Sequence, residues 1–189
     1  MLIAGVDEAG RGALAGPLVA AAAILGADLD YTLLGDSKVL TAAKRDKLFD
    51  LIYASDSYIG VSIVPRNVVD ARNVLQATLS GMAKSVARLK VHPELVLIDG
   101  NKAPDIRDCK VETIVKGDAT EPCISAASII AKVTRDRIMC RYDEKYPGYA
   151  FSTHKGYGTQ QHYDAVFEHG LSLIHRRTFT ISRQETLFT

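Results

Sequence analysis

Short apolar segments alternate with longer amphipathic ones along the chain, and this pattern predicts a mixed α/β fold. Buried strands are expected at residues 2–6, 17–25 and 58–64, where β-branched and small apolar residues cluster. The link between the first two strands is too short for a parallel crossover, so this pair should be antiparallel. Two further short strands are expected at residues 95–98 and 111–115.

Helical periodicity marks four longer segments, at residues 41–54, 73–89, 121–145 and 159–169. In the first of them, Leu48, Leu51 and Ile52 form the predicted apolar stripe. The third has a proline in its first turn and small apolar residues nearly all round its first half, which predicts a buried helix. No repeat or linker-like segment marks a domain boundary. We therefore expect one domain over residues 1–180, followed by a tail at 181–189.

The composition is that of a globular protein, since 47% of the 189 residues are hydrophobic, 24% are charged and the formal net charge is +1. Acidic residues interrupt the apolar N-terminus before a signal sequence could form, and no apolar run is long enough to span a bilayer. The three cysteines are far apart and odd in number, which favours reduced core residues. We expect a cytoplasmic protein without membrane contact.

Four acidic residues follow predicted strands or stand in turns: Asp7 and Glu8 after the first strand, Asp99 after the fourth, and Asp118 before the long helix. Any one of them could be an exposed turn residue or a helix cap. The four together, each beside a glycine or a turn, favour a site in which cations neutralise the carboxylates. Carboxylate oxygens select Mg²⁺ or Mn²⁺, so the sequence predicts a two-metal centre for phosphoryl transfer.

Asp7 and Glu8 would point to opposite faces of a strand if the strand continued through them. Both can reach one site only if the backbone turns there, and Gly10 and Gly12 supply conformational freedom directly afterwards. The first strand is therefore expected to end at Val6.

Three loops carry residues suited to contact with nucleic acid. The bare backbone of Gly10-Arg11-Gly12 could approach a sugar closely, although a glycine pair often only turns the chain. Lys38, in a polar turn, could contact a phosphate or lie in solvent. Tyr157, flanked by glycines, could stack on a sugar or base, or pack against the core.

These residues belong to a set of motifs that resembles the type 2 ribonucleases H, specifically ribonuclease HII. The resemblance covers residues 1 to about 180 and implies a ribonuclease H-like fold, in which helices flank a five-stranded mixed sheet. The matching motifs are Asp7-Glu8-Ala9-Gly10-Arg11-Gly12, Leu14-Ala15-Gly16-Pro17, Asp36-Ser37-Lys38, Ile98-Asp99-Gly100, Lys116-Gly117-Asp118, residues 125–136 and His154-Lys155-Gly156-Tyr157.

The resemblance also implies a function. It implies metal-dependent hydrolysis of the RNA strand of RNA:DNA hybrids and incision of duplex DNA at single ribonucleotides, leaving 3′-hydroxyl and 5′-phosphate ends. The family pattern assigns metal binding and catalysis to four acids, Asp7, Glu8, Asp99 and Asp118. It assigns reading of the 2′-hydroxyl at the RNA-to-DNA junction to Gly10, Arg11 and Gly12, and stacking on the adjacent deoxyribose to Tyr157.

Two other functions fit parts of the pattern. An aspartate-nucleophile phosphatase would use Asp7, but it would want a second acid two residues later, where Ala9 stands. An inactive hybrid-binding module would lose acids and keep basic contacts, whereas all four acids are present. A fifth acid, Asp136, lies far along the long helix between Arg135 and Arg137, and we interpret it as part of a structural ion pair.

The tail resembles a further motif. Gln184, Leu187 and Phe188 match the Gln-x-x-Leu-Phe peptides by which bacterial DNA-processing enzymes dock on the DNA sliding clamp. Glu185 replaces the usual leucine at the second position, which predicts weak affinity. Folding of the tail onto its own domain is the alternative. The expected partners are therefore RNA:DNA hybrids, ribonucleotide-containing duplexes and, through the tail, the clamp.

Overall fold

The computed structural model describes residues 1–34 and 40–181 and contains one five-stranded sheet in that part of the chain. The strands lie in the order β3-β2-β1-β4-β5. Because β1 pairs antiparallel with β2 and parallel with β4, the predictions of an antiparallel first pair and a mixed sheet are confirmed. The strands are β1 (Ile3–Ala9), β2 (Leu18–Ile24), β3 (Tyr58–Val64), β4 (Leu95–Asp99) and β5 (Lys110–Ile114).

Helices cover both faces of the sheet. The helix α5 packs with α1 against one face, and α3 covers the other. The four predicted helices are confirmed as α1, α3, α5 and α7, although α3 ends at Val86, before the predicted end. The one-turn helices α4 and α6 contain too few residues to show a helical period. The bounds are α1 (Ala42–Ala54), α2 (Arg66–Arg72), α3 (Val74–Val86), α4 (Gly117–Thr120), α5 (Pro122–Lys145), α6 (Phe151–His154) and α7 (Gln160–His169).

Small residues bring α5 close to the sheet. Residues 20–23 of β2 are fully buried alanines, of which Ala21 and Ala23 face α5 and Ala20 and Ala22 face α3. Apolar residues between 126 and 131 of α5 pack into the same core as Ala21 and Ala23, which confirms the predicted buried half of this helix. A Cβ atom at Gly5 of β1 would lie 2.1 Å from the carbonyl carbon of Cys123. The start of α5 therefore lies directly against β1, beside the position of Asp7.

Three sequence-based expectations are wrong. The first strand does not end at Val6, because pairing with β2 continues to Ala9. Leu51 is 47% exposed, since α1 faces the core through the buried Leu48 and Ile52, with Phe49 partly buried against the same core. Cys140 is exposed and not a core residue, although it is a free thiol as expected.

Some predictions fall outside the described residues. Lys38 and residues 182–189, which carry the clamp-like motif, are among them, so their proposed roles stay predictions. Within residues 1–34 and 40–181, no helix combines the length and apolarity needed to cross a membrane.

Candidate functional site

An open cleft of about 540 Å³ lies where β1 and β4 end. Val6 pairs with Ile98 in the parallel ladder, so Asp7 and Asp99 occupy equivalent positions and point to the same face of the sheet. The sheet thus brings two acids together from segments far apart in sequence. The cleft is lined by Asp7, Glu8, Ala9, Gly10, Arg11, Gly12, Arg45, Asp99, Ser128, Lys132 and Tyr157.

Asp7 and Glu8 both reach the cleft although the strand does not turn between them. Asp7 lies on the α5 face, whereas Glu8 also lines a smaller recess beside Met82 of α3. The last pair between β1 and β4 is Val6 with Ile98, so this edge of β1 is open beyond Val6. Side chains from both faces can therefore meet at the open edge.

The carboxylates of the cleft repel one another. Burial raises the pKa of Asp7 well above its usual range, and the charges of Glu8 and Asp99 add to this rise. The Asp7 carboxylate accepts a 2.7 Å hydrogen bond from the Glu8 N–H and a hydrogen bond from the Ser128 side chain, which partly offset it. Burial also raises the pKa of Glu8, against the opposing effect of the Arg11 guanidinium 3.6 Å away.

Several features of these acids suit a divalent cation. All are hard oxygen donors, and a cation would offset the repulsion between them. The Oδ1 atom of Asp99 is buried and has no hydrogen-bond partner among the described residues. In the same part of the chain, no three His, Cys, Asp or Glu side chains already surround a common point as metal ligands do.

Asp118 does not line this cleft. It is buried on the one-turn helix α4, between β5 and α5, with 1% of its surface exposed. The structure therefore brings three of the four predicted acids to one cleft and places the fourth outside its lining, on α4, which contacts α5 and β4. Its role as a ligand stays a prediction.

The loop after β1 forms one wall of the cleft, through Gly10, Arg11 and Gly12. Gly10 has a φ of +89°, and a Cβ atom there would lie 1.9 Å from Nε of Arg135. In contrast, no described atom outside its chain neighbours lies within 4 Å of the position of a Cβ atom on Gly12. The first glycine is thus required by the packing of the protein, and the second leaves open space.

Tyr157 forms a second wall of the cleft and is half-buried. Its ring centroid lies 5.1 Å from Cζ of Arg135 and 5.7 Å from Nζ of Lys132, so the ring packs on cations while it lines the cleft. Lys132 also forms a 2.7 Å ion pair with Asp136. The predicted ion pair of Asp136 is confirmed, but its partner is Lys132 and not a neighbouring arginine.

Sequence reasoning missed three polar residues of the cleft, Arg45, Ser128 and Lys132. Ser128 and Lys132 lie four residues apart on α5, which places them on one helix face. The signal that could have identified them is this spacing of two polar residues within a helix whose first half is predicted to be buried. Arg45 lies on α1, and no motif marks it.

Three buried histidines support the Tyr157 wall. Nδ1 of His162 donates to the Tyr157 carbonyl at 2.9 Å, so its Nε2 accepts from Nε2 of His175 at 3.0 Å. Nδ1 of His175 then accepts from the backbone N–H of Ser172 at 2.9 Å. His154 stacks on His162 with ring centroids 4.3 Å apart. This pattern is satisfied only by neutral histidines.

Acidification is expected to destabilise the protein through this network. Burial lowers the pKa of His162 and of His175 from 6.5 to about 4. Between those values His162 and His175 bind more protons in the unfolded chain than in the folded one. Their contribution to the free energy of unfolding is therefore fully present above about pH 6.5 and is lost as the pH drops. The slope is at most about 1.4 kcal/mol per pH unit for each histidine. Urea unfolding at about pH 7.5 and 5.5 measures it.

The exposed His92 provides the control, because His92→Gln should keep the pH slope of the wild type while His162→Gln should reduce it. The raised pKa values of Asp7 and Glu8 have the opposite effect on the pH slope, so the comparison of variants is the decisive one. A pH slope that is the same in His162→Gln as in the wild type would contradict the assignment of neutral histidines.

Comparisons with known proteins agree with the fold. The Ribonuclease HII family model matches residues 4–182. The chain is 48% identical to ribonuclease HII of Endomicrobium trichonymphae over 178 residues, which are 94% of this chain and 85% of that protein.

Solved structures of related enzymes have the same fold as this chain. Ribonuclease H2 from Pyrococcus horikoshii superposes with a TM-score of 0.81 at 29% identity, covering 97% of this chain and 96% of that one. Ribonuclease HII in its complex with PCNA from Archaeoglobus fulgidus superposes with a TM-score of 0.81 at 27% identity, covering 99% and 98% of the two chains. These matches confirm the ribonuclease H-like fold and disfavour the phosphatase and the inactive binding module. The chain belongs to the ribonuclease HII family and is a type 2 ribonuclease H, an endonuclease acting on RNA:DNA hybrids.

Proposed function

We propose that residues 1–180 act as one catalytic domain that cuts the RNA strand of hybrids and also incises duplex DNA at single ribonucleotides, with two Mg²⁺ or Mn²⁺ ions. The main support is the convergence of Asp7, Glu8 and Asp99 on one open cleft. Asp118, on the neighbouring α4, is the proposed fourth ligand.

Four of the cleft residues have a direct part in the proposed reaction. Asp7, Glu8 and Asp99 would hold the divalent cations, which would supply Lewis-acid chemistry and an activated water at the scissile phosphate. The expected products carry 3′-hydroxyl and 5′-phosphate ends. Asp7 and Asp99 supply carboxylate oxygens from one face of the sheet, and Glu8 supplies its carboxylate from the other face. Lys132, a cation at the cleft wall, attracts the phosphates of the substrate backbone.

Selectivity for RNA is proposed to come from the two walls. The backbone of Gly10-Arg11-Gly12 contacts the 2′-hydroxyl, which is the group that distinguishes RNA from DNA at this point. The open space beside Gly12 allows a sugar to approach the backbone closely. Tyr157 stacks on the deoxyribose after the junction, and Lys38 is a proposed phosphate contact.

A cleavage assay on three duplexes tests this function. We expect an RNA:DNA hybrid and a DNA duplex with one ribonucleotide to be cut, with 5′-phosphate product ends, in Mg²⁺ or Mn²⁺ but not in EDTA. An all-DNA duplex should stay intact. If the single ribonucleotide is not incised while the hybrid is cut, the proposed junction reading is wrong. Cleavage in EDTA would show that the reaction does not require a metal ion.

Tyr157→Ala is expected to lower incision at a single ribonucleotide by about 1–3 kcal/mol of transition-state stabilisation, the usual value of one stacking contact. Cleavage of a uniform hybrid should fall less, because its scissile positions are not followed by a deoxyribose. The matched control is Tyr157→Phe, which keeps the ring and should keep the activity. An equal loss on both substrates would mean that Tyr157 only packs its loop.

We also propose that the tail binds a sliding clamp. The support is the Gln184, Leu187 and Phe188 motif, together with the relative from Archaeoglobus fulgidus that is solved in complex with PCNA. A labelled peptide of residues 180–189 should bind the cognate clamp weakly, and Phe188→Ala should abolish binding because the aromatic anchor is lost. No binding at high micromolar peptide would exclude the clamp and leave folding onto the domain.

A further inference from the structure

Two fully buried arginines lie behind the wall formed by residues 10–12. Arg135 on α5 and Arg176 after α7 each have 0% exposure. Neither guanidinium has a carboxylate oxygen within 4.0 Å in the described parts of the chain. A buried cation without a counter-ion is costly, so its hydrogen bonds must be many and well directed.

Carbonyl oxygens of one loop satisfy Arg176. Its Nη1 donates to the Arg11 carbonyl at 2.9 Å, and its Nη2 donates to the Gly10 carbonyl at 2.6 Å. Nε and Nη2 both donate to the Gly16 carbonyl at 3.2 Å. The forked donor set of one side chain therefore spans both ends of the loop at residues 10–16.

Arg135 holds the same loop from α5. It donates to the carbonyls of Ala15 at 3.1 Å, Pro17 at 2.9 Å and Lys155 at 2.9 Å. Its third acceptor belongs to the segment that carries Tyr157. The two arginines thus fix one wall of the cleft relative to the other.

The carbonyl contacts of Arg176 set the direction of the backbone donors. In a trans peptide the carbonyl of one residue and the N–H of the next point in opposite directions. When the carbonyls of Gly10 and Arg11 point inward to Arg176, the N–H groups of Arg11 and Gly12 point away from it. Among the described residues, neither N–H has a hydrogen-bond acceptor, and both residues line the cleft.

We propose that Arg176 is a positioning residue for substrate selection, which aims the free N–H groups of Arg11 and Gly12 at the sugar of the ribonucleotide. This inference rests on the proposed reading of the 2′-hydroxyl by the loop. Arg176 does not contact substrate itself. It acts by holding two peptide planes in one orientation before the substrate binds, so that no ordering is needed on binding.

Arg176→Lys tests this role, because a lysine keeps the charge but cannot hold several carbonyls with one planar fork. The variant is made in an Asp7→Asn background, so that binding is measured without cleavage. The readout is the ratio of the Kd for an all-DNA duplex to the Kd for the same duplex with one ribonucleotide. A partly unfolded sample weakens both Kd values equally and leaves the ratio unchanged.

We expect Arg176→Lys to reduce this ratio by about tenfold, as for the loss of one directed hydrogen bond, while the Kd for all-DNA duplex changes little. Arg66→Lys is the matched control. Arg66 donates to the Leu173 carbonyl at 3.0 Å, in the same C-terminal segment, but it is not hydrogen-bonded to the loop in the described structure. This control should keep the full ratio.

If Arg176→Lys does not fold, Phe179→Leu is a milder change, because the Phe179 ring lies 5.1 Å from Cζ of Arg176. It should lower the ratio in the same direction by a smaller factor. A ratio of one in the Asp7→Asn protein would refute the reading of the 2′-hydroxyl itself. A preference that stays unchanged in Arg176→Lys, or in Phe179→Leu where Arg176→Lys does not fold, would overturn only the role of Arg176.

Discussion

Asp7→Asn is expected to reduce hybrid cleavage by more than about a hundredfold, the lower range for loss of a group that stabilises transition-state charge. Folding should survive, because asparagine has nearly the same shape and its oxygen can still accept the hydrogen bond from the Glu8 N–H. Burial and the neighbouring acids already disfavour the charged form of Asp7. Removing that charge should therefore leave the metal-free protein as stable as the wild type or more stable.

The measurements are cleavage rates in Mg²⁺ and thermal unfolding with and without Mg²⁺. The wild type should gain thermal stability when the ion binds, and the variant should gain less. Asp164→Asn is the control, since Asp164 is an exposed acid of α7 that is not among the residues lining the cleft. Should Asp7→Asn retain a tenth of the wild-type rate, Asp7 would have no essential part in metal binding.

Gly10→Ala is expected to lose stability, whereas Gly12→Ala is expected to lose activity while it stays folded. At Gly10, the positive φ alone disfavours alanine by about 1–3 kcal/mol. The new Cβ atom would also displace the Arg135 guanidinium from its buried carbonyl partners, so this variant should be strongly destabilised. At Gly12 the added methyl meets no described protein atom and should leave stability unchanged, yet it occupies the space proposed for the sugar.

Urea unfolding and kcat/KM on a duplex with one ribonucleotide separate the two effects. Gly10→Ala should lower the unfolding midpoint, whereas Gly12→Ala should keep the midpoint and lose most of its activity. Gly100→Ala is a weaker comparison for Gly12→Ala, because its Cβ atom also meets open space but its φ of +101° adds strain. If Gly12→Ala cuts this duplex at the wild-type rate, the substrate does not approach the backbone at that glycine.

Much of the fold followed from local patterns in the sequence. The strand at residues 58–64 and the helix capped by Thr41 have the predicted bounds, because β-branched alternation and a side-chain cap act locally. The end of β1 did not follow, since the pairing of Ala9 with Val19 is a contact between strands. The turn predicted after Val6 is absent, because pairing with β2 keeps the backbone extended as far as Ala9.

The acids of the cleft were identified from their positions after strands, but their environment was not. The parallel register that aligns Asp7 with Asp99 depends on long-range pairing. Likewise, nothing local indicates that Arg135 and Arg176 are buried, because arginine is usually an exposed residue. Their role becomes visible only when the carbonyls that surround them are known.

The close packing of α5 against β1 limits which positions of this enzyme can change by mutation. Gly5 of β1 and the buried Ala21 and Ala23 of β2 leave no space for larger side chains beneath α5. Both β1, which bears Asp7, and α5, which bears Ser128, therefore tolerate little change. The walls at residues 10–17 and around Tyr157 are loops held by arginine forks. Within these walls Gly10 and residues 13–17 are buried, whereas Arg11 and Gly12 are exposed and Tyr157 is half-buried. Directed evolution of selectivity should therefore concentrate its mutations on these last three residues, where the acids can keep their places.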